Sequence, residues 1–293
     1  MAKLIVLFGD QLSLDISSLK DFNKQEDAIF MSEYDKAYQP VKHHKKKLAF
    51  MLSAMRHFKQ DLESEAYRVH YFSIESKSPK TKDLALLKTL LKQERFDKLC
   101  VTEPNDWHDL QAVQTWSGEL EMPVSIEQDD RFLCSKQDFQ DWAQGRKQLR
   151  MEFFYRVMRA RYNILMDGKE PCGGQWNFDQ ENRKKPPKNH SYPYPLEYVP
   201  DTITLEVMAQ VSETFADHFG DLEPFYFAVT RSQALKVLEN FIQNRLVHFG
   251  DYQDAMVQGE PWMYHAHISF YLNCGLLSPL ECIQAAQAAY YEE

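Results

Sequence analysis

Leu4 to Phe8, after Lys3, form an unbroken apolar run that stops at Gly9-Asp10-Gln11, and no other feature limits the fold as much. A run without polar alternation reads as a strand buried on both faces, which belongs in a parallel sheet. The polar turn at its C-terminal end marks the edge where open α/β sheets place their ligands. Apolar Leu48, Met51, Leu52, Met55, Phe58 and Leu62 recur at helical spacing, with Lys45, Lys46, Arg56 and Lys59 mostly on the other face. Tyr67 to Ser73, Lys98 to Thr102 and Pro123 to Glu127 read as further strands, and Leu84 to Gln93 as a helix. Strand and helix thus alternate to about residue 130, which predicts a Rossmann-like, doubly wound parallel sheet.

Beyond Asp138 the strand signals fade. Met151 to Asp167 reads as a helix ended by Gly168 and Pro171, and the proline-rich stretch Asn182 to Pro200 as a connector. Leu205 to Phe215, Ser232 to Leu246 and Tyr264 to Leu277 read as helices, and Ser278-Pro279 opens a last one. The expected organisation is an α/β domain over 1–135, an interdomain helix and connector over 136–201, and a helical part over 202–293.

The 293 residues, 44% of them hydrophobic, suffice for a substantial core. A net charge of −9 argues against nonspecific coating of nucleic acid, which needs a strongly basic surface, yet leaves room for a local basic groove. The five cysteines, Cys100, Cys134, Cys172, Cys274 and Cys282, are scattered and lack CxxC spacing, so they indicate neither a disulfide framework nor a metal site. No apolar stretch is long enough to span a bilayer and the N-terminus lacks a signal-peptide pattern; a cytoplasmic, monomeric protein without membrane contact is expected.

Several constellations carry chemistry. Gly9-Asp10-Gln11 offers backbone N–H groups and a carboxylate to a ligand, or is simply a strand-to-loop turn. Lys42 to Lys47, with His43 and His44 inside, place cations at a helix N-terminus, where they need compensation by an anion, an aromatic ligand or acidic neighbours such as Glu33. Arg156, Arg159 and Arg161 stand among Phe153, Phe154 and Tyr155, leaving guanidinium groups to meet carboxylates or phosphates, or bracing the fold. Arg183, Lys184 and Lys185 end the following loop in a pattern suited to a phosphate backbone. The stretches around Asp251-Tyr252 and Tyr264-His265-Ala266-His267 sit at a loop and a helix start, where phosphates are held, although the histidines also read as surface residues. No Ser/His/Asp order, P-loop or HExxH motif is present.

FGDQLS, HHKKKLAFMLSAMRHF, VTEPNDW, DDRFLCS, MEFFYRVMRARYNILMDG, GGQWNFDQENRKK, AVTRSQALKVLENFI, FGDYQDAM and ISFYLNCGLLSP run in register along nearly the whole chain. Together they resemble the deoxyribodipyrimidine photolyase-related proteins, the prokaryotic iron–sulfur branch of the photolyase and cryptochrome superfamily. The resemblance implies an α/β antenna domain, a connector and a helical FAD-binding domain. It implies a light-dependent lyase acting on pyrimidine dimers in damaged DNA, typically the (6-4) photoproduct, with a lumazine-type antenna and a [4Fe–4S] cluster. By the same resemblance Gly9, Asp10 and Gln11 line the antenna site with Glu33 and His44 nearby. Tyr252, His265 and Ser269 hold the FAD phosphates and ribityl chain, and Arg183, supported by Lys184 and Lys185, contacts DNA.

The sequence also departs from the family. Ala37 and Pro40 stand where relatives carry a Glu and a Tyr beside the lumazine, and Ala266 replaces a usual hydroxyl residue. Relatives continue well past residue 293, and none of the five cysteines matches a cluster ligand. The chain therefore reads as an N-terminal portion, expected to bind flavin weakly and to lack repair activity alone. The rival readings are a cryptochrome-like photoreceptor and a stand-alone chromophore-binding module.

Overall fold

The computed structural model describes residues 1–34, 41–74, 82–187 and 191–292. Ala37, Pro40 and residues 188–190 of the connector lie outside the described residues. The chain groups into two units: residues 1–130, 197–231 and 274–276 in the first, and 131–196, 232–273 and 277–293 in the second.

The first unit is built on five strands, β1 (Lys3–Leu7), β2 (Ala28–Ser32), β3 (Val69–Phe72), β4 (Lys98–Thr102) and β5 (Val124–Glu127), in the order β3-β2-β1-β4-β5. All four ladders are parallel, with Leu4 opposite Ala28 on one side and Leu99 on the other. The predicted doubly wound α/β sheet is what forms. Leu4 and Ile5 are both 0% exposed, so both faces of β1 are covered, as the unbroken apolar run requires. Leu4, Val6 and Phe8 pack with Leu87 and Leu90 of helix α2 (Asp83–Gln93) and with Val113 and Trp116 of α3 (Trp107–Leu120). Helix α1 (Lys45–Ser64) buries Leu48, Leu52, Met55, Phe58 and Leu62, the stripe its periodicity predicts, and α6 (Thr202–Thr214) packs along it. Two elements, β2 and α3, were not anticipated. β2 is five residues of AIFMS between charged flanks, too short for a period to show, and α3 buries only Val113 and Trp116 of its fourteen residues.

One glycine in this unit is dictated by contact. Gly220 has φ +84°, and a Cβ there would come 1.9 Å from His44 Nε2. The His44 ring cannot swing away freely: it caps α1, Nδ1 accepting from the Lys46 N–H at 3.1 Å, and meets the Phe219 ring edge-on at 5.3 Å. Gly220→Ala should cost about 2 kcal/mol of stability through the left-handed backbone and the displaced cap. A denaturation midpoint unchanged from wild type would contradict this packing.

In the second unit, α4 (Lys136–Ala143) starts at a reciprocal cap between Ser135 and Asp138. Helix α5 (Met151–Tyr162) stops short of the expected Asp167 because Asn163 takes a left-handed conformation, φ 52°. Residues 166–171 then form a two-stranded hairpin, β6 (Met166–Asp167) and β7 (Glu170–Pro171), around Gly168. The helix expected over Ser232 to Leu246 forms as α7 (Arg231–Asn244), and after Arg245 a further helix, α8 (Leu246–Tyr252), follows. The helix expected over Tyr264 to Leu277 contracts to α9 (Ser269–Cys274), since Met263 and His267 have positive φ and Gly275, φ 88°, follows. Helix α10 (Pro279–Glu292) closes the unit. Among the described residues no helix is long and apolar enough to cross a membrane.

Candidate functional site

The sequence growth of the sheet reverses between β1 and β4, so their C-terminal ends form its topological switch point. Gly9, Asp10 and Gln11 lie there. Gln11 is wholly buried: its Nε2 donates to the Thr102 carbonyl at 3.0 Å and its Oε1 accepts from the Phe8 N–H at 3.3 Å. The turn therefore ties the two strand ends together. The Thr102 hydroxyl extends the seam to Ser17 at 2.9 Å and to the Ser18 N–H at 3.1 Å.

Glu33, at the end of β2, is 0% exposed. Its Oε1 accepts from Arg56 Nε at 2.7 Å and the Tyr71 hydroxyl at 2.6 Å, and its Oε2 from Arg56 Nη2 at 3.0 Å and the Ile74 N–H at 2.9 Å. Four donors fill the four lone-pair positions of a carboxylate. Burial first, then the Glu33 charge, push the Tyr71 hydroxyl well above its ordinary value. Glu33 thus faces protein donors on every side, and the cations at the start of α1 find compensation elsewhere: Lys42 pairs with Asp217 at 2.6 Å.

In α5 the arginines are engaged inside the second unit rather than free for phosphates. Arg156 pairs with Glu152 at 2.6 Å and Arg161 with Asp138 at 3.2 Å. Arg159, 8% exposed, donates to the carbonyls of Ile164, Leu165 and Trp176 at 3.0, 2.6 and 2.9 Å. Arg156 and Arg161 thus meet carboxylates and Arg159 meets carbonyls, all within the second unit. The basic loop beyond it is also paired: Arg183 with Asp254 at 3.1 Å and Lys184 with Asp251 at 2.8 Å, while Lys185 is exposed. The pairing brings the NRKK and YQDAM stretches side by side, with the Lys184 N–H on the Asp251 carbonyl and the Asp254 N–H on the Asn182 carbonyl.

An aromatic grouping lies in the second unit. Tyr252, at the end of α8, stacks on Tyr264 with ring centroids 5.4 Å apart, and Tyr192 and His248 meet Tyr264 at 5.3 and 4.8 Å. Tyr192, Ala255, Met263 and Tyr264 form a buried cluster of their own. The next loop sets His265 and His267 with rings 6.3 Å apart and Trp262 5.0 Å from His267, and Ser269 stands exposed at the start of α9. The three positions assigned to FAD, Tyr252, His265 and Ser269, thus lie in one unit, and Tyr252 packs there with Tyr264 and with His248, which sequence reasoning did not single out. The carbonyl of Trp262 accepts from His267 Nε2 at 3.0 Å, which leaves Nδ1 as the ring's acceptor. Burial, with the charges of Arg245 and His265 helping, lowers His267 to about 4.

That depression has a stability consequence. The free imidazole titrates near 6.5 and the folded one near 4, so folding favours the neutral ring. The stabilisation is complete above pH 6.5 and is lost as pH falls through about 4. The stability difference between wild type and His267→Gln should therefore shrink between pH 6.5 and 4 in thermal unfolding; a pH-independent difference would contradict the assignment.

Aromatic faces and unspent polar atoms suit a planar cofactor carrying phosphates. Arg245 is fully buried and leaves Nε and Nη1 without a partner among the described residues, as does His267 at Nδ1, and orphaned groups of this kind fit such a ligand. The five cysteines form no disulfide, and among the described residues no three His, Cys, Asp or Glu side chains are grouped to hold a metal; this set does not fit a [4Fe–4S] cluster.

Comparison with known proteins places these features. The family model for deoxyribodipyrimidine photo-lyase-related protein matches residues 5–227. The chain belongs to this family. Among curated family relatives, the (6-4) photolyase of Agrobacterium fabrum is 42% identical over 292 residues, covering 100% of this chain and 58% of that protein. An uncharacterized protein of Acanthamoeba polyphaga mimivirus is 21% identical over 197 residues, 64% of this chain and 96% of its own. In fold, the photolyase-related chain matches the crystal structure of a bacterial class III photolyase from Agrobacterium tumefaciens, with a TM-score of 0.59 at 16% identity over 100% of this chain and 56% of that one. The chain thus spans little more than half the length of the photolyases it matches.

Proposed function

We propose that this family member serves light-dependent, FAD-dependent repair of pyrimidine dimers in DNA, with the (6-4) photoproduct as the lesion. The observation that carries the reading is the 42% identity to a (6-4) photolyase, maintained over the whole chain. Residues 1–135 act as the antenna-type domain, holding a lumazine-type chromophore at Gly9, Asp10 and Gln11 with Glu33 and His44 behind it. Residues 202–293 open the FAD-binding part, and the chain is the first portion of a longer enzyme that also carries the [4Fe–4S] cluster. FAD, when bound, supplies the photoexcited electron that splits the lesion. In this chain Tyr252 and Tyr264 offer apolar faces that exclude water, while His265 and Ser269 orient the phosphate and ribityl groups.

Arg183, Lys184 and Lys185 meet the DNA backbone. Phosphates displace Asp254 and Asp251 from Arg183 and Lys184, whereas exposed Lys185 binds without exchange. Lys185→Ala should lower the slope of log affinity against log salt by about 1. An unchanged slope would remove Lys185 from the DNA-binding surface.

The decisive assay uses the protein extended through the region that the (6-4) photolyase has beyond the match, with FAD and an oligonucleotide carrying one (6-4) photoproduct. Blue light should restore the pyrimidines and darkness should not. Flavin uptake and a light response without restored pyrimidines would make the protein a photoreceptor instead.

A further inference from the structure

Arg245, between α7 and α8, is among the described residues the largest side chain with essentially no exposure, at 0%. Its Nη2 donates to Asn240 Oδ1 at 3.0 Å, whereas Nε and Nη1 have no hydrogen-bond partner among the described residues. Burial lowers its pKa from the ordinary value, yet a guanidinium stays charged at neutral pH. A buried cation with most of its donors unspent is among the costliest arrangements in a protein interior, and an opposite charge with several acceptors relieves it. The unspent donors lie on different edges of the guanidinium plane, on either side of the nitrogen given to Asn240. A group with oxygens at several positions, a diphosphate rather than a lone carboxylate, can satisfy them together.

His267 adds a complementary feature. It lies in the same unit, and the Arg245 charge adds to the burial that lowers its pKa. With Nε2 spent on the Trp262 carbonyl, the neutral ring turns an unpartnered acceptor, Nδ1, toward the interior. Donors for an oxyanion and an acceptor for a hydroxyl therefore coexist in one unit.

We propose that Arg245 is an oxyanion anchor that receives the diphosphate of a nucleotide-type ligand through Nε and Nη1, with His267 Nδ1 accepting from a neighbouring hydroxyl. The inference deepens the flavin reading, since FAD carries both groups, but the anchor's chemistry can be tested with a simpler anion. The test follows thermal unfolding of the chain with inorganic diphosphate, FAD or riboflavin, which lacks phosphate, in wild type and in Arg245→Met.

Diphosphate and FAD should raise the wild-type midpoint, FAD binding roughly 10-fold or more tightly than riboflavin. In Arg245→Met both advantages should disappear. Without anion the variant should be at least as stable as wild type, because it removes an uncompensated charge. An anion-free variant much less stable than wild type would mean that the protein itself neutralises Arg245, and would overturn the proposal. So would equal FAD stabilisation of wild type and variant, which leaves the flavin reading intact. Stabilisation by diphosphate through Arg245, with no response to either flavin, would support the anchor while removing FAD as its ligand.

Discussion

Glu33→Ala should destabilise the first unit by about 3–5 kcal/mol, the scale seen when one partner of a buried ion pair is removed. The reason is how many groups the one carboxylate serves. Arg56 of α1, Tyr71 of β3 and the Ile74 N–H all end on it. Without it the guanidinium, 18% exposed, and a hydroxyl lose their acceptor in the interior. The double variant Glu33→Met with Arg56→Met removes both charges and should recover much of the loss. Amide hydrogen exchange at Glu33 and Ile74 reads the effect locally. A single-variant cost below about 1 kcal/mol would show the pair to be no stronger than a surface bridge. The same network predicts an alkaline limb. Tyr71 is held neutral with a raised pKa, so its contribution is complete below pH 10 and is lost as pH rises through the raised value. Tyr71→Phe should flatten that limb.

Arg159→Ala should cost the second unit about 3 kcal/mol or more, since three carbonyls of the turn after α5 lose their donor. Those bonds close the chain reversal in which Asn163 ends the helix and the Cys172 N–H reaches the Leu165 carbonyl at 2.8 Å. The ring centroids of Trp176 and Tyr155 lie 5.5 and 5.7 Å from the guanidinium carbon. Arg159→Lys should recover less than half of the loss, because a point charge cannot serve three acceptors in a plane. Faster exchange at the Cys172 amide and proteolysis within residues 163–176 report the effect. Full recovery by lysine would mean that charge alone, rather than the planar fork, holds the turn.

What the sequence made legible, and what it did not, follows from where each signal originates. β1 was readable because Leu4 to Phe8 are continuously apolar and end at a glycine; β2, equally buried, has five residues and charged flanks, so no period could emerge. The shortened helix before Cys274 reflects the positive φ of Met263 and His267, and no residue type there announces it. Arg159 is read in the sequence among guanidinium groups for carboxylates or phosphates and Arg245 carries no signal there, because only tertiary structure shows that one serves carbonyls and the other lies buried. Motif resemblance placed Tyr252, His265 and Ser269 in one functional group. His248 joins Tyr252 and Tyr264 only through ring contacts.

The central claim, that this chain carries part of a flavin-dependent photolyase, is tested most directly by the near-UV and visible absorption spectrum of the protein extended through the region that the (6-4) photolyase has beyond the match, purified after incubation with FAD, with the released chromophore identified by mass. A retained flavin band, released as FAD, is the expected result. A chain that stays colourless and returns no flavin would contradict it.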